Sequence, residues 1–134
     1  LSKGTGNTAA RILIVEDESL LSWSLSKVLG KAGFDITVAE TGEKAIEELA
    51  GVAFDLVITD LKLPHINGFS VASAVKSSLP GVPVILISAL EDRESREMGS
   101  AVLVDCFVEK PFDLNEMSEL VRKLTGRGIK CQSN

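Results

Sequence analysis

Apolar residues along the chain come in short, nearly unbroken runs separated by longer amphipathic stretches. The runs are ILIVE (12–16), DITVAE (35–40), DLVITD (55–60), VPVILIS (82–88) and LVDCFVE (103–109), each of strand length. Helices are predicted at about 18–32, 42–50, 67–79, 91–99 and 113–125. Gly33, Gly51 and Gly81 mark ends, and Asp113 with Glu116 three residues later reads as a capping-box-like start. In the last helix Leu114, Met117, Leu120, Val121 and Leu124 fall on one face, which should pack on a sheet.

Strands alternating with helices point to βαβ units rather than to a sandwich or a bundle. The first, third and fourth runs are apolar almost throughout, as strands covered on both faces must be, whereas the second is polar at both ends and the fifth is interrupted. The second and fifth strands are therefore expected at the edges. Right-handed crossovers then favour an α/β, doubly wound, five-stranded parallel sheet in the order 2-1-3-4-5, with helices on both faces and a switch point between strands one and three. Ligand chemistry belongs outside the carboxyl ends of those strands. Residues 1–10 read as a flexible flank, 11–126 as one domain and 127–134 as a polar tail, with no internal repeat.

Composition narrows the class. At 134 residues, 45% apolar and 25% charged, the chain can support one core. A net charge of -5 argues against a nucleic-acid surface, which needs clustered Lys and Arg. No run approaches the roughly 20 apolar residues that span a bilayer, and the polar opening LSKGTGNTAA lacks an apolar signal region. Cys106, in an apolar run, and Cys131, in the polar tail, make neither a disulfide framework nor a metal quartet. A cytoplasmic protein is expected.

The polar residues at the strand ends carry the chemistry: Glu16 and Asp17 after strand one, Asp60 after strand three, Ser88 after strand four and Lys110 after strand five. Each has an ordinary explanation alone. Asp17 or Ser88 could cap a helix, Asp60 could sit in an Asx-turn and Lys110 could be a solvated charge. Together they gather three carboxylates, a hydroxyl and an amine where this fold places its site. Close carboxylates raise one another's pKa unless they share a cation. An oxygen-only set suits a hard divalent ion, Mg²⁺ rather than Ca²⁺ or zinc; the lone His65, after Pro64, reads as a surface residue. Such an ion, with Lys and Ser opposite, is suited to a phosphoryl group, and Asp60 is the central carboxylate able to act as nucleophile.

With ILIVEDE at the first strand, VITDLKLPHINGF around Asp60, LISA at the fourth and FVEKPF at the fifth, residues 11–125 resemble a receiver (CheY-like) domain of a two-component response regulator. The resemblance implies a flavodoxin-like fold and a bacterial phosphorelay in which Asp60 accepts a phosphoryl group from a sensor histidine kinase or phosphotransfer protein. It implies Mg²⁺ held by Asp17 and Asp60 side chains and the Lys62 backbone carbonyl, with Glu16 acting through water. Ser88 would hydrogen-bond the phosphoryl group, Lys110 would pair with it, and Lys110 to Pro111 would be a cis peptide. Phe107 matches the aromatic switch that turns inward with Ser88. Lys62 and Leu90 would flank the hydrolytic water.

Several positions depart from the commonest pattern. Glu16 stands where many such domains carry a second Asp, Ser88 replaces a frequent Thr, Phe107 lacks a phenol, and SAVLVDC lacks the usual small pair. The output expected is altered binding through the fourth helix, fifth strand and fifth helix, to an effector domain or a second copy, with no direct nucleic acid or membrane contact. The charge run EDRESRE (91–97) is a solvated face or part of that surface. The protein is expected to be a signalling phosphoacceptor with assisted self-phosphorylation and autodephosphorylation rather than an enzyme. The alternative is a pseudo-receiver scaffold that works without phosphorylation, against which Asp17, Asp60, Ser88 and Lys110 all argue. A flavodoxin-like cofactor carrier would need a phosphate-binding loop where EDES stands. GTGNTAA fits a dinucleotide pattern only formally, because it precedes the first strand.

Overall fold

The computed structural model of the chain describes residues 9–89, 92 and 104–126. Strands β1 (Arg11–Val15), β2 (Asp35–Ala39), β3 (Leu56–Asp60), β4 (Val84–Ser88) and β5 (Cys106–Glu109) form one parallel sheet in the order β2-β1-β3-β4-β5. Around it lie α1 (Ser19–Lys31), α2 (Gly42–Gly51), α3 (Gly68–Ser78) and a C-terminal helix (Leu114–Gly126). The expected strand order and edge strands are met. The flanks at 1–8 and 127–134, and the helix expected at 91–99 apart from Asp92, lie outside the described residues.

Strand parity builds the layers, because successive side chains point to opposite faces. Leu13, Val15, Val57, Val84 and Leu86 pack with Ala45, Leu49, Val71, Ala72 and Val75 of α2 and α3. Ile12, Ile14, Leu56, Ile58, Ile85 and Ile87 pack on the other face with Leu25 and Leu29 of α1 and with Met117, Val121 and Leu124 of the C-terminal helix. The three central strands are buried on both faces, which is why their sequences show no polar alternation.

Local chemistry sets the helix ends. Thr41 Oγ1 accepts the Lys44 N–H at 3.0 Å, Asn67 Oδ1 those of Phe69 and Ser70 at 2.9 and 3.2 Å, and Asp113 Oδ1 those of Asn115 and Glu116 at 2.8 and 3.0 Å. Beyond α1, Gly33 takes a left-handed φ of 102° while Phe34 N–H donates to Leu29 O at 3.1 Å, closing the helix.

β4 and β5 begin two and three residues later than the pattern predicts. Pro83 has no N–H to offer a ladder, so β4 starts at Val84, although the Pro83 carbonyl still accepts from Val57 N–H at 3.1 Å. The chain bends at Asp105, whose Oδ2 takes both Val84 N–H at 2.8 Å and Lys76 Nζ at 2.9 Å, and β5 starts at Cys106. Cys106 itself is disulfide-bonded, a single bond rather than a framework; whether two isolated cysteines pair is not readable from a sequence.

Gly68 opens α3 directly beneath β3. A Cβ there would collide with the Asp60 carbonyl and would lie 2.9 Å from Leu86 Cδ1 and 3.0 Å from Leu61 Cα. Backbone cannot yield as a flexible side chain can. Gly68→Ala is therefore expected to destabilise the domain by about 2 kcal/mol through overpacking, read as a lower midpoint in urea unfolding; an unchanged midpoint would show that α3 can shift freely.

Candidate functional site

The ladder runs one residue beyond the strands and fixes the backbone that carries the polar cluster. Glu16 N–H donates to Ala39 O at 3.0 Å, Leu61 N–H to Ile87 O at 2.8 Å and Lys110 N–H to Ser88 O at 2.9 Å. Continuing the alternation, Glu16, Asp60 and Lys110 fall on the side of α1 and the C-terminal helix, and Ser88 on the side of α2 and α3. Phe107 pairs with Leu86 in register, so it shares Ser88's face two residues further down, half-buried against the α2–α3 cluster.

Glu16, Asp17 and Asp60 each bring a carboxylate oxygen within 4.8 Å of the others. Glu16 and Asp60 are buried, at 2% and 7% exposure, while Asp17 is open to solvent. Lys110 Nζ donates to Asp60 Oδ2 at 3.3 Å. Asp17 is no helix cap, since Glu18 occupies that position. Lys110 is no freely solvated charge, since it holds Asp60. The Lys110–Pro111 peptide is cis. His65 is exposed, with a φ of 72°.

Burial, and then the charge of Asp60, push the Glu16 carboxyl up to about 7. Burial also raises Asp60, against the opposing pull of Lys110 and with a further push from Asp17. On Lys110, burial works to lower the pKa, but Asp60 and Glu16 outweigh it and the ammonium is held more firmly than usual. One lysine thus faces an excess of acid.

Two buried oxygens in this pocket lack a hydrogen-bond partner, Glu16 Oε1 and Ser88 Oγ. Buried polar atoms are rarely left so in a finished structure. The acids fit a small divalent cation: the set is all oxygen, partly buried, and too negative to be balanced by Lys110 alone. Ser88 Oγ is the donor at the same end of the sheet.

Lys62, expected to contribute only its carbonyl and to flank the site, also reaches outward. Its Nζ lies 3.2 Å from Oδ1 of Asp92, a buried acid that sequence reading passed over inside a charge run. Leu90, the other expected flanking residue, lies outside the described residues. Beside Lys110 a groove of about 530 Å³ runs between Leu20 and Leu21 of α1 and the Pro111–Leu114 segment. Leu20 and Trp23, on the outer side of α1, are 70% and 59% exposed. Among the described residues no helix is long and apolar enough to cross a membrane.

Residues 12–122 match the family model for the response regulator receiver domain. The chain belongs to that family. It is 35% identical over 118 residues to the transcriptional regulatory protein CusR of Escherichia coli, and 37% identical over 118 residues to the probable transcriptional regulatory protein SilR of Salmonella typhimurium. In each case the match covers 88% of this chain and 52% of the relative, so the receiver spans about half the length of those proteins. Among solved structures it resembles the response regulator TrrA of Thermotoga maritima in complex with Mg(2+)-BeF, at 33% identity and a TM-score of 0.77 over 86% of this chain and 98% of that one. It also resembles the chemotaxis response regulator CheY4 of Vibrio cholerae, at 25% identity and a TM-score of 0.79 over 87% of this chain and 99% of that one. The CheY-like sheet order expected from the strand pattern is the order this receiver has.

The raised Glu16 has a measurable sign. Its folded pKa of about 7 lies above the ordinary value of 4.5, so the folded state binds the proton more tightly. Its contribution to stability is then complete below about 4.5 and is lost as pH rises through about 7. Glu16→Gln removes that dependence. In chelator, the melting temperature of the variant is expected to gain on that of the parent as pH rises through this window, and parallel curves would rule the shift out.

Proposed function

We propose that Asp60 is the phosphoacceptor of this receiver, taking its phosphoryl group from a phosphohistidine of a sensor kinase or phosphotransfer protein in a Mg²⁺-dependent reaction. One observation carries the reading: Asp60 ends the central strand, buried, with acids on one side and the Lys110 ammonium 3.3 Å away on the other. Asp17 and Asp60 side chains and the Lys62 carbonyl would hold the ion, with Glu16 acting through water. When bound, the ion supplies positive charge against the carboxylates and the phosphoryl oxygens.

The chain's own groups do the rest. A carboxylate oxygen of Asp60 attacks phosphorus in line, an O–P bond forms, and the P–N bond to the donor imidazole breaks with its electron pair returning to the ring nitrogen. Lys110 leans on the phosphoryl oxygens as their charge grows. Ser88 donates its hydroxyl, giving its otherwise unpartnered Oγ a bond. Phe107, on the same face of the sheet, moves into the space that Ser88 leaves, and the altered surface around β5 is read by a partner. That partner is an effector domain, such as a transcriptional regulator of the kind its relatives are named for, or a second copy. The apolar groove beside Lys110 gives the donor protein a place to rest against α1. The same pocket supports slow self-phosphorylation from small donors and slow loss of the phosphate to water.

Incubation with acetyl phosphate and Mg²⁺ should add one phosphoryl group by intact mass, and chelator or Asp60→Asn should abolish the addition. Lys110→Met is expected to slow it by roughly a hundredfold, the size seen when one charge-stabilising donor is removed. Labelling that persists in Asp60→Asn would move the acceptor elsewhere.

A further inference from the structure

Asp92 stands four residues after Ser88, in the connection leaving β4, and its side chain is only 7% exposed. Its N–H donates to the Ala89 carbonyl at 3.0 Å, which joins it to the residue after Ser88. From the neighbouring β3–α3 connection Lys62 reaches across to Asp92 Oδ1 at 3.2 Å, on a side chain that is 73% exposed. The pair therefore ties the residue two past Asp60 to the residue four past Ser88. A carboxylate buried this deeply depends on a cation, because removing one partner of such a pair leaves an uncompensated charge. The lysine is less committed: its ammonium is a point charge on a flexible, solvent-reached stem and can change partners cheaply.

We propose that Lys62 and Asp92 form a latch that phosphoryl transfer opens, the new phosphoryl group competing with Asp92 for the Lys62 ammonium and so releasing Asp92 from the β3–α3 connection. The latch rests on the reading of Asp60 as acceptor. A phosphoryl group there adds negative charge and three strong acceptor oxygens two residues from Lys62. Lys110 is already held by Asp60 and drawn by Glu16, which leaves Lys62 as an added cation on the rim. Asp92 is joined through its N–H to Ala89, next to the hydroxyl that has to move. Lys62 thus acts as a positioning residue through its side chain, separately from its backbone carbonyl.

Coupling is reciprocal, so whatever loosens the latch must tighten binding of a phosphoryl mimic. Beryllofluoride with Mg²⁺, the combination carried by the TrrA structure, can be titrated calorimetrically into the parent chain and its variants. Asp92→Asn should tighten binding by roughly fivefold, the scale of one ion pair that no longer has to be surrendered. In a Lys62→Met background the same change should have almost no effect, and in a Lys62→Arg background the gain should return. An equal gain in both the parent and Lys62→Met would mean that Asp92 acts only as a distant negative charge, and would overturn the latch; no gain in the parent would do the same. If the parent chain fails to bind the mimic at all, the acceptor reading falls and the latch with it, whereas binding without coupling removes the latch alone.

Discussion

Everything at this site follows from holding carboxylates closer together than water would allow. Two unit charges 4.8 Å apart repel by roughly 3 kcal/mol at an effective dielectric near 20, and Glu16 and Asp60 are both buried within that distance. Burial first, and this repulsion after it, raise Glu16; burial also raises Asp60 with a smaller push from Asp17, and the acids in turn hold Lys110 firmly protonated. The sheet sustains it. Burying a single Leu or Ile side chain stabilises by roughly 1.5–3 kcal/mol, and β1, β3 and β4 bury such residues on both faces immediately below the acids. A few core side chains offset the strain, and the ladder bonds past each strand end keep the acids from moving apart to relieve it.

The pleat divides the labour across the sheet. Acids and ammonium share one face, where α1 and the C-terminal helix pack, while Ser88 and Phe107 share the other, with α2 and α3. On the reading of Asp60 as acceptor, a charge placed there would be sensed on the opposite face through a hydroxyl at the end of the adjoining strand. The two faces meet only at that rim. Gly68 and the Asn67 cap press α3 against the Asp60 carbonyl, so the end of β3 is held by backbone packing as well as by side-chain charge.

Much of this was legible in the residue order because the same physics wrote it there. Burial on both faces demands unbroken apolar runs, and ILIVE, DLVITD and VPVILIS announce the central strands. Strand order follows from which runs are interrupted, and the polar residues ending those runs are the pocket. The boundary at Cys106 was not legible, because Asp105 looks like a flaw in a strand until its carboxylate is seen holding Val84 and Lys76. Asp92 was hidden for the opposite reason: among the charges of EDRESRE nothing distinguishes a buried acid from a solvated one, and only its pairing with Lys62 across two connections does so.

Glu16 shows why side-chain length matters as much as charge. Its Oε2 accepts the Glu18 N–H at 3.1 Å, at the start of α1, where the Glu18 side chain makes no capping bond of its own. Its Oε1 is left buried and without a partner. A shorter Asp would have to choose between reaching back to the helix and facing the pocket, whereas Glu16 does both, one oxygen for each. The start of α1 is thereby tied to the ionisation of the pocket, because an anionic Oε2 accepts an N–H more strongly than a neutral one. A cation that keeps Glu16 ionised would therefore strengthen its bond to the Glu18 N–H, at the first turn of the helix that lines the groove beside Lys110.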